Sequence, residues 1–144
     1  MITRIAALLA LLERFPLFII QFMLRLSVGV VFWKSGQVKA ASWSSTVALF
    51  RDEYHVPLLP PEIAARMAET VELTCPILLW LGIASRLATL PMLGMTAVIQ
   101  LLVYPNAWPQ HLFWASALLL ILTKGPGAIS VDYWLARVFL KTGR

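Results

Sequence analysis

Four long apolar stretches separated by short polar breaks dominate the pattern, at residues 15–36, 63–84, 87–104 and 110–123. A helix needs about 20 apolar residues to cross a hydrocarbon core of about 30 Å. Each stretch comes near that length, the last only with Trp108, Pro109 and His111 at its start. The pattern predicts an all-α chain, an integral membrane four-helix bundle forming one domain over residues 1–144. In the connection between the first two stretches, SWSSTVALFRDEYHV sets Trp43, Val47, Phe50 and Tyr54 three to four residues apart, with charges on the other face. That spacing predicts an amphipathic helix, begun at Ser44 or Ser45 and stopped by Pro57, Pro60 and Pro61. It lies on the outer membrane surface or folds over the bundle as a lid, and Pro61 suits the first turn of the next helix.

The short connection at Ala84, Ser85 and Arg86 makes the second and third helices antiparallel neighbours. YPNAWP forces a tight turn before the fourth. Gly125, Pro126 and Gly127 end that helix, and Ser130 or Asp132 opens another with Trp134, Leu135, Val138 and Phe139 on its apolar side, an interfacial C-terminal helix. Residues 1–12 read as a short interfacial helix that is retained, because Glu13, Arg14 and Phe15 stand where a signal cleavage site would be.

Composition sharpens this picture. Of 144 residues, 60% are hydrophobic and 13% charged, where a soluble domain carries roughly a quarter charged. The net charge of +5 is unevenly distributed. With both termini in the cytoplasm, that side collects Arg4, Arg14, Arg86, Lys124, Arg137, Lys141 and Arg144, against Lys34, Lys39, Arg51 and Arg66 outside, an arrangement the positive-inside rule favours. The basic balance points to lipid headgroups as partners, not nucleic acid. Cys75 is the single cysteine, which excludes an intramolecular disulfide or a CxxC redox pair.

The candidate chemistry is in the apolar stretches themselves. Arg25 interrupts the first, and Glu69 and Glu72 the second; charges at membrane depth face a protein interior and often mark a function. With about 1.5 Å of rise per residue, Arg25 lies roughly 15 Å in from one side and Glu72 roughly 13 Å in from the other, so the two are expected at similar depth. Glu69 is one turn nearer the outside, where Lys34 or Lys39 can reach it. Two readings follow: an Arg25–Glu72 clip that sets helix register, or a polar pocket holding a proton, a cation or a small ligand. His111, at the outer end of the fourth stretch, is within the same region. One His with two Glu does not make a metal motif by spacing, and no pair of span-facing His residues exists for a b-type haem. Gln100 is expected to hydrogen-bond across helices, and Ser27, Gly29, Gly82, Gly94 and Ala97 to be close-packing sites.

The ordered set RLSVGVVFWKSGQVK, Phe50, AETVEL, LGIASRLATLPMLGM, YPNAWPQHLFWA and GPGAISVD resembles the DoxX family of small bacterial membrane proteins over about nine-tenths of the chain. The resemblance implies a multi-pass protein of the bacterial inner membrane with both termini cytoplasmic. It implies Arg25, Gly36, Lys39, Glu72, Arg86, Gly125, Gly127 and Asp132 as the characteristic positions. It also implies company in redox or metal-stress systems. The expected function is an accessory inner-membrane protein binding a small ligand or a partner protein through a pocket of Arg25, Glu69, Glu72, Lys34, Lys39 and His111. The alternatives are a membrane subunit of a thiol or sulfur to quinone oxidoreductase, for which quinone is the one cofactor to consider, and an oligomeric proton- or ion-coupled transporter. Partner proteins of such a system, membrane lipid and a second copy of the chain are the expected partners.

Overall fold

The computed structural model describes residue 10 and residues 12–141; the expected N-terminal interfacial helix falls mostly outside them. Among the described residues the regular structure is all helical, without strands. Helix α1, Leu17–Ala41, begins after Pro16, whose extended backbone (φ −69°, ψ 121°) sets the entry. It runs five residues past Gly36, the expected end, because hydrophobicity fades there but nothing breaks the helix before the extended Ser42. Helix α2, Trp43–Leu49, passes into a π-helical turn, Phe50–Tyr54, closed by His55 in the left-handed region (φ 45°). Ser42, rather than Ser44 or Ser45, stands at its start, and the Ser42 hydroxyl donates to Ser45 Oγ at 2.8 Å.

Helix α3, Pro61–Leu81, has Pro61 at its first position, as expected, and Pro76 inside it. Its own backbone N–H and the Arg51 guanidinium, 2.7 Å away, hold the exposed Glu62 carboxyl of the first turn below the usual carboxylate range. Gly82, at φ 69°, ends α3: the Ile83 N–H bonds back to Leu78 O at 2.9 Å, the six-to-one closure of a left-handed helix end. Helix α4, Ser85–Val98, follows at once and runs into a second π-helical turn, Ile99–Val103. After the short 3₁₀ turn Pro105–Ala107 comes α5, Trp108–Lys124, and then α6, Val131–Lys141, which starts where the Ser130 hydroxyl accepts the Tyr133 N–H at 3.2 Å.

Helix α1 packs most extensively on α3; α3 packs on α4, α4 on α5, and α5 returns to α1. Val28, Phe32, Leu79, Met92, Leu118 and Ile121 fill the space between them, together with the buried Cys75. A second small core of Val47, Phe50, Ala64 and Ala65 lies where α2 folds onto α3. Gly29 admits the Trp80 ring against α1, and a Cβ at Gly36 would come within 2.9 Å of Glu72 Cβ. Of the other expected packing glycines, Gly82 lies against Ser130, but Gly94 faces open space. Ser27 and Ala97 are exposed, so they pack at no interface. Among the described residues two helical segments, Leu17–Ala41 and Ser85–Val103, are long and apolar enough to cross a membrane.

Candidate functional site

Arg25 is 1% exposed, and it does not meet Glu72. Its Nε donates to Leu79 O at 2.6 Å and Nη2 to Trp80 O at 2.8 Å, at the end of α3. Its Nη1 donates to Pro126 O at 2.7 Å and Ile129 O at 2.6 Å, in the segment leading to α6. Four charge-assisted bonds to the carbonyls of a helix end and a turn, of which Leu79 O also accepts the Gly82 N–H at 3.1 Å, make Arg25 the knot of this end of the molecule. Helix register explains the separation from Glu72. Trp80 faces Gly29 and Glu72 faces Gly36, so Arg25 and Glu72 are displaced by roughly eleven residues along α1, about 16 Å. Equal depth for the two requires both helices to begin at their membrane boundary, whereas α1 extends to Ala41.

Glu72 pairs instead with Lys39: Nζ lies 2.9 Å from both carboxylate oxygens and donates to Oε1, while Oε2, fully buried, accepts no hydrogen bond. Lys39 Nζ also donates to Ser35 Oγ at 2.9 Å. Glu69 does not join them. It accepts from Arg66 Nη1 at 2.6 Å, one turn away on its own helix, and that guanidinium lies 3.9 Å over the Trp43 ring. Lys34 is exposed and reaches neither acid.

A cavity of about 570 Å³ opens beside the Lys39–Glu72 pair, between α1, α3, α4 and α5, with both π-helical turns in its wall. That volume is in the range of small-molecule sites. His111, 4% exposed, lines it; its Nδ1 lies 2.7 Å from Gln100 Oε1, the interhelical bond expected of Gln100, and its ring is 5.2 Å from that of Trp114. Phe50 and Tyr54 from the α2 segment cover one side, and Tyr104, which donates to Glu53 Oε1 at 2.9 Å, ties that cover to the end of α4. Burial, first, then the neighbouring Tyr104 hydroxyl push the Tyr54 phenol far above its ordinary pKa, so it stays a neutral donor. Most of the wall is apolar, including Met95, Val98 and Ile99, and Gly94 leaves its open space here.

Of the six residues expected to form one pocket, the structure brings together Lys39, Glu72 and His111, and leaves out Arg25, Glu69 and Lys34. Ser35 and Trp114 were missed, whereas Tyr54 belongs to the helix expected as a lid. A signal within the sequence that separates Arg25 from Lys39 is the stripe Gln21, Arg25, Phe32, Gly36 and Lys39, one face of a single helix at three- to four-residue steps or their sum. Arg25 and Lys39 stand on that face roughly four turns apart, about 21 Å. Chemically, the site offers a buried ammonium–carboxylate pair and an imidazole in the wall of an aromatic and aliphatic chamber. Among the described residues no three His, Cys, Asp or Glu side chains converge as metal ligands, and Cys75 lies in the packed core, outside the cavity wall. No curated protein and no solved structure matches the chain. The DoxX family profile matches residues 20–105, from the first turn of α1 through the end of the second π-helical turn, well over half of the chain, and the protein therefore belongs to the DoxX family.

Proposed function

We propose that this is a multi-pass protein of the bacterial inner membrane, an accessory subunit of a redox- or metal-stress-related system, that binds a small amphiphilic molecule in the cavity beside Lys39 and Glu72. The membrane reading is supported by where the apolar residues point. Within the most apolar windows of α1 and of the helix Ser85–Val103, only 28% and 22% of residues are buried, and Met23, Leu26, Val30, Leu87, Leu90 and Leu101 face outward. A soluble protein does not leave contiguous apolar surface of that extent in water. Placement of both termini in the cytoplasm is supported by the Lys and Arg bias of the termini and of the turn at Arg86. Lys39, Arg51 and Arg66, at the proposed outer end, pair with Glu72, Glu62 and Glu69 respectively.

The observation that carries the ligand reading is the buried Lys39–Glu72 ion pair on the wall of a mostly apolar chamber of about 570 Å³. A carboxylate oxygen can accept more than one hydrogen bond, so Glu72 Oε2, ion-paired at 2.9 Å, still has capacity for a ligand hydroxyl or N–H. The aromatic wall favours a second reading within the same cavity, a quinone. The His111 ring would donate to a quinone oxygen, with Lys39 as the nearby positive charge, and Trp114, Tyr54 and Tyr104 would flank the ring. Such a group would supply electron and proton exchange, and these residues would bind it, orient it and keep water from it.

Gly94→Leu, which fills open space, separates binding from folding. Detergent-purified protein extracted into organic solvent is expected to release a stoichiometric small molecule by mass spectrometry, and the Gly94→Leu protein, unfolding at no lower temperature than the parent, to release none. A short-chain ubiquinone analogue bound by the parent and excluded by Gly94→Leu would favour the quinone reading. Neither species binding would sink the cavity as a ligand site.

A further inference from the structure

A second cleft, of about 590 Å³, lies at the other end of the molecule, between the start of α1, the α3–α4 turn and the segment joining α5 to α6. It is lined by Arg86, Lys124, Gln21, Asp132, Leu87 and Tyr133, among others. Arg86 occupies the second position of α4, where the helix dipole disfavours a cation, and Lys124 is the last residue of α5. Among the described residues all three ion pairs, Lys39–Glu72, Arg51–Glu62 and Arg66–Glu69, belong to the opposite end, so neither cation has an acidic partner. Asp132 lines the cleft, but its two carboxylate oxygens are engaged by the Ala84 and Ser85 N–H groups at 2.8 Å each. Arg137 stacks with its guanidinium carbon 5.5 Å from the Tyr133 ring centroid and adds a third cation at the rim. Gly125, at φ 85°, presents no side chain where the Arg86 guanidinium reaches across, 3.4 Å from where a Cβ would stand. The walls continue outward onto the exposed apolar side chains of Leu17 and Leu87.

We infer that this cleft binds the phosphate of an anionic phospholipid, held between Arg86 and Lys124, with its acyl chains running down the outer face of α1 and α4. Two cations lining one cleft, whose Asp132 carboxylate is already engaged by backbone N–H groups and whose walls open onto an apolar flank, are the chemistry of an anionic headgroup site at a membrane surface. The inference rests on the membrane reading above. A chain that partitions into the aqueous phase in detergent phase separation would overturn that reading before any lipid is added.

The test is ligand-induced thermal stabilisation of the detergent-purified protein with phosphatidylglycerol, phosphatidylcholine or inorganic phosphate. Phosphatidylglycerol is expected to bind at least tenfold more tightly than phosphatidylcholine, and inorganic phosphate not to compete at equal concentration. Lys124→Gln is expected to weaken phosphatidylglycerol at least threefold and Arg86→Gln/Lys124→Gln to abolish the preference. Lys124 is exposed at a helix end, so its variant folds and keeps the test readable if the double variant does not. Equal binding of the two lipids, effective competition by inorganic phosphate, or a Lys124→Gln protein that binds as the parent does would each overturn the assignment.

Discussion

Arg25 holds its charge inside the molecule with carbonyl oxygens alone, whereas Lys39 and Glu72 hold theirs with each other. The two arrangements respond differently to substitution. Arg25→Gln takes a donor from four carbonyls, of which Leu79 O keeps the Gly82 N–H; with each of the other three costing about 1–3 kcal/mol, a loss of roughly 3 kcal/mol or more is expected in thermal unfolding. A double-mutant cycle distinguishes the pairs: Arg25→Gln with Glu72→Gln is expected to couple by less than about 0.5 kcal/mol, as for separated sites. Lys39→Met with Glu72→Gln is expected to couple by more than about 1 kcal/mol, because either single change leaves a buried charge alone. The reverse ranking would restore the Arg25–Glu72 clip. Glycines give a second contrast. Gly36→Ala drives a Cβ to 2.9 Å from Glu72 Cβ and Leu73 Cδ2, an overpacking that costs about 1–3 kcal/mol. Gly94→Ala meets nothing within 4 Å and, in a helix interior, is expected to stabilise by up to about 1 kcal/mol. Opposite signs in unfolding midpoints are the expected outcome.

At the scale of elements, the ends of helices are joined to one another by few residues. Asp132 caps α4 through Ala84 and Ser85, and its own N–H donates to Gly82 O at 2.8 Å. One residue of the α6 segment therefore finishes the α3–α4 turn. Asp132→Ala is expected to lower stability by about 1–2 kcal/mol, the cost of a lost cap, and to make the segment between α5 and α6 cleavable by added protease while the rest of the chain persists. Continued resistance of that segment would show that Arg25, Gln21 and the Asp132 N–H hold it without the carboxylate. The α2 segment was legible from Trp43, Val47, Phe50 and Tyr54, because the face it buries is written as periodicity. Its π-helical turn was not, because an i+5 bond ring follows from how Phe50 and Tyr54 pack over the cavity and leaves no mark on a pattern of three and four.

For the molecule as a whole, the exposed apolar belt and the unequal pairing of cations at its two ends make orientation measurable. Leu58 is fully exposed in the loop before α3, and Tyr133 belongs to α6 at the other end. In a Cys75→Ser background, Leu58→Cys is expected to react with a membrane-impermeant maleimide in intact cells, and Tyr133→Cys only after the membrane is opened; the opposite pattern would invert the proposed topology. The sequence by itself determined the helical class, the positions of the breaks, the family and the residues worth asking about, since hydropathy, proline and glycine act locally. It did not determine which charges meet. The sliding of α1 against α3, set by Trp80 on Gly29 and Glu72 on Gly36, decided that Arg25 meets backbone carbonyls and Lys39 meets Glu72. Register is a property of two packed surfaces, and a shift of one helical turn carries every partner about 5.4 Å away, farther than a hydrogen bond can follow.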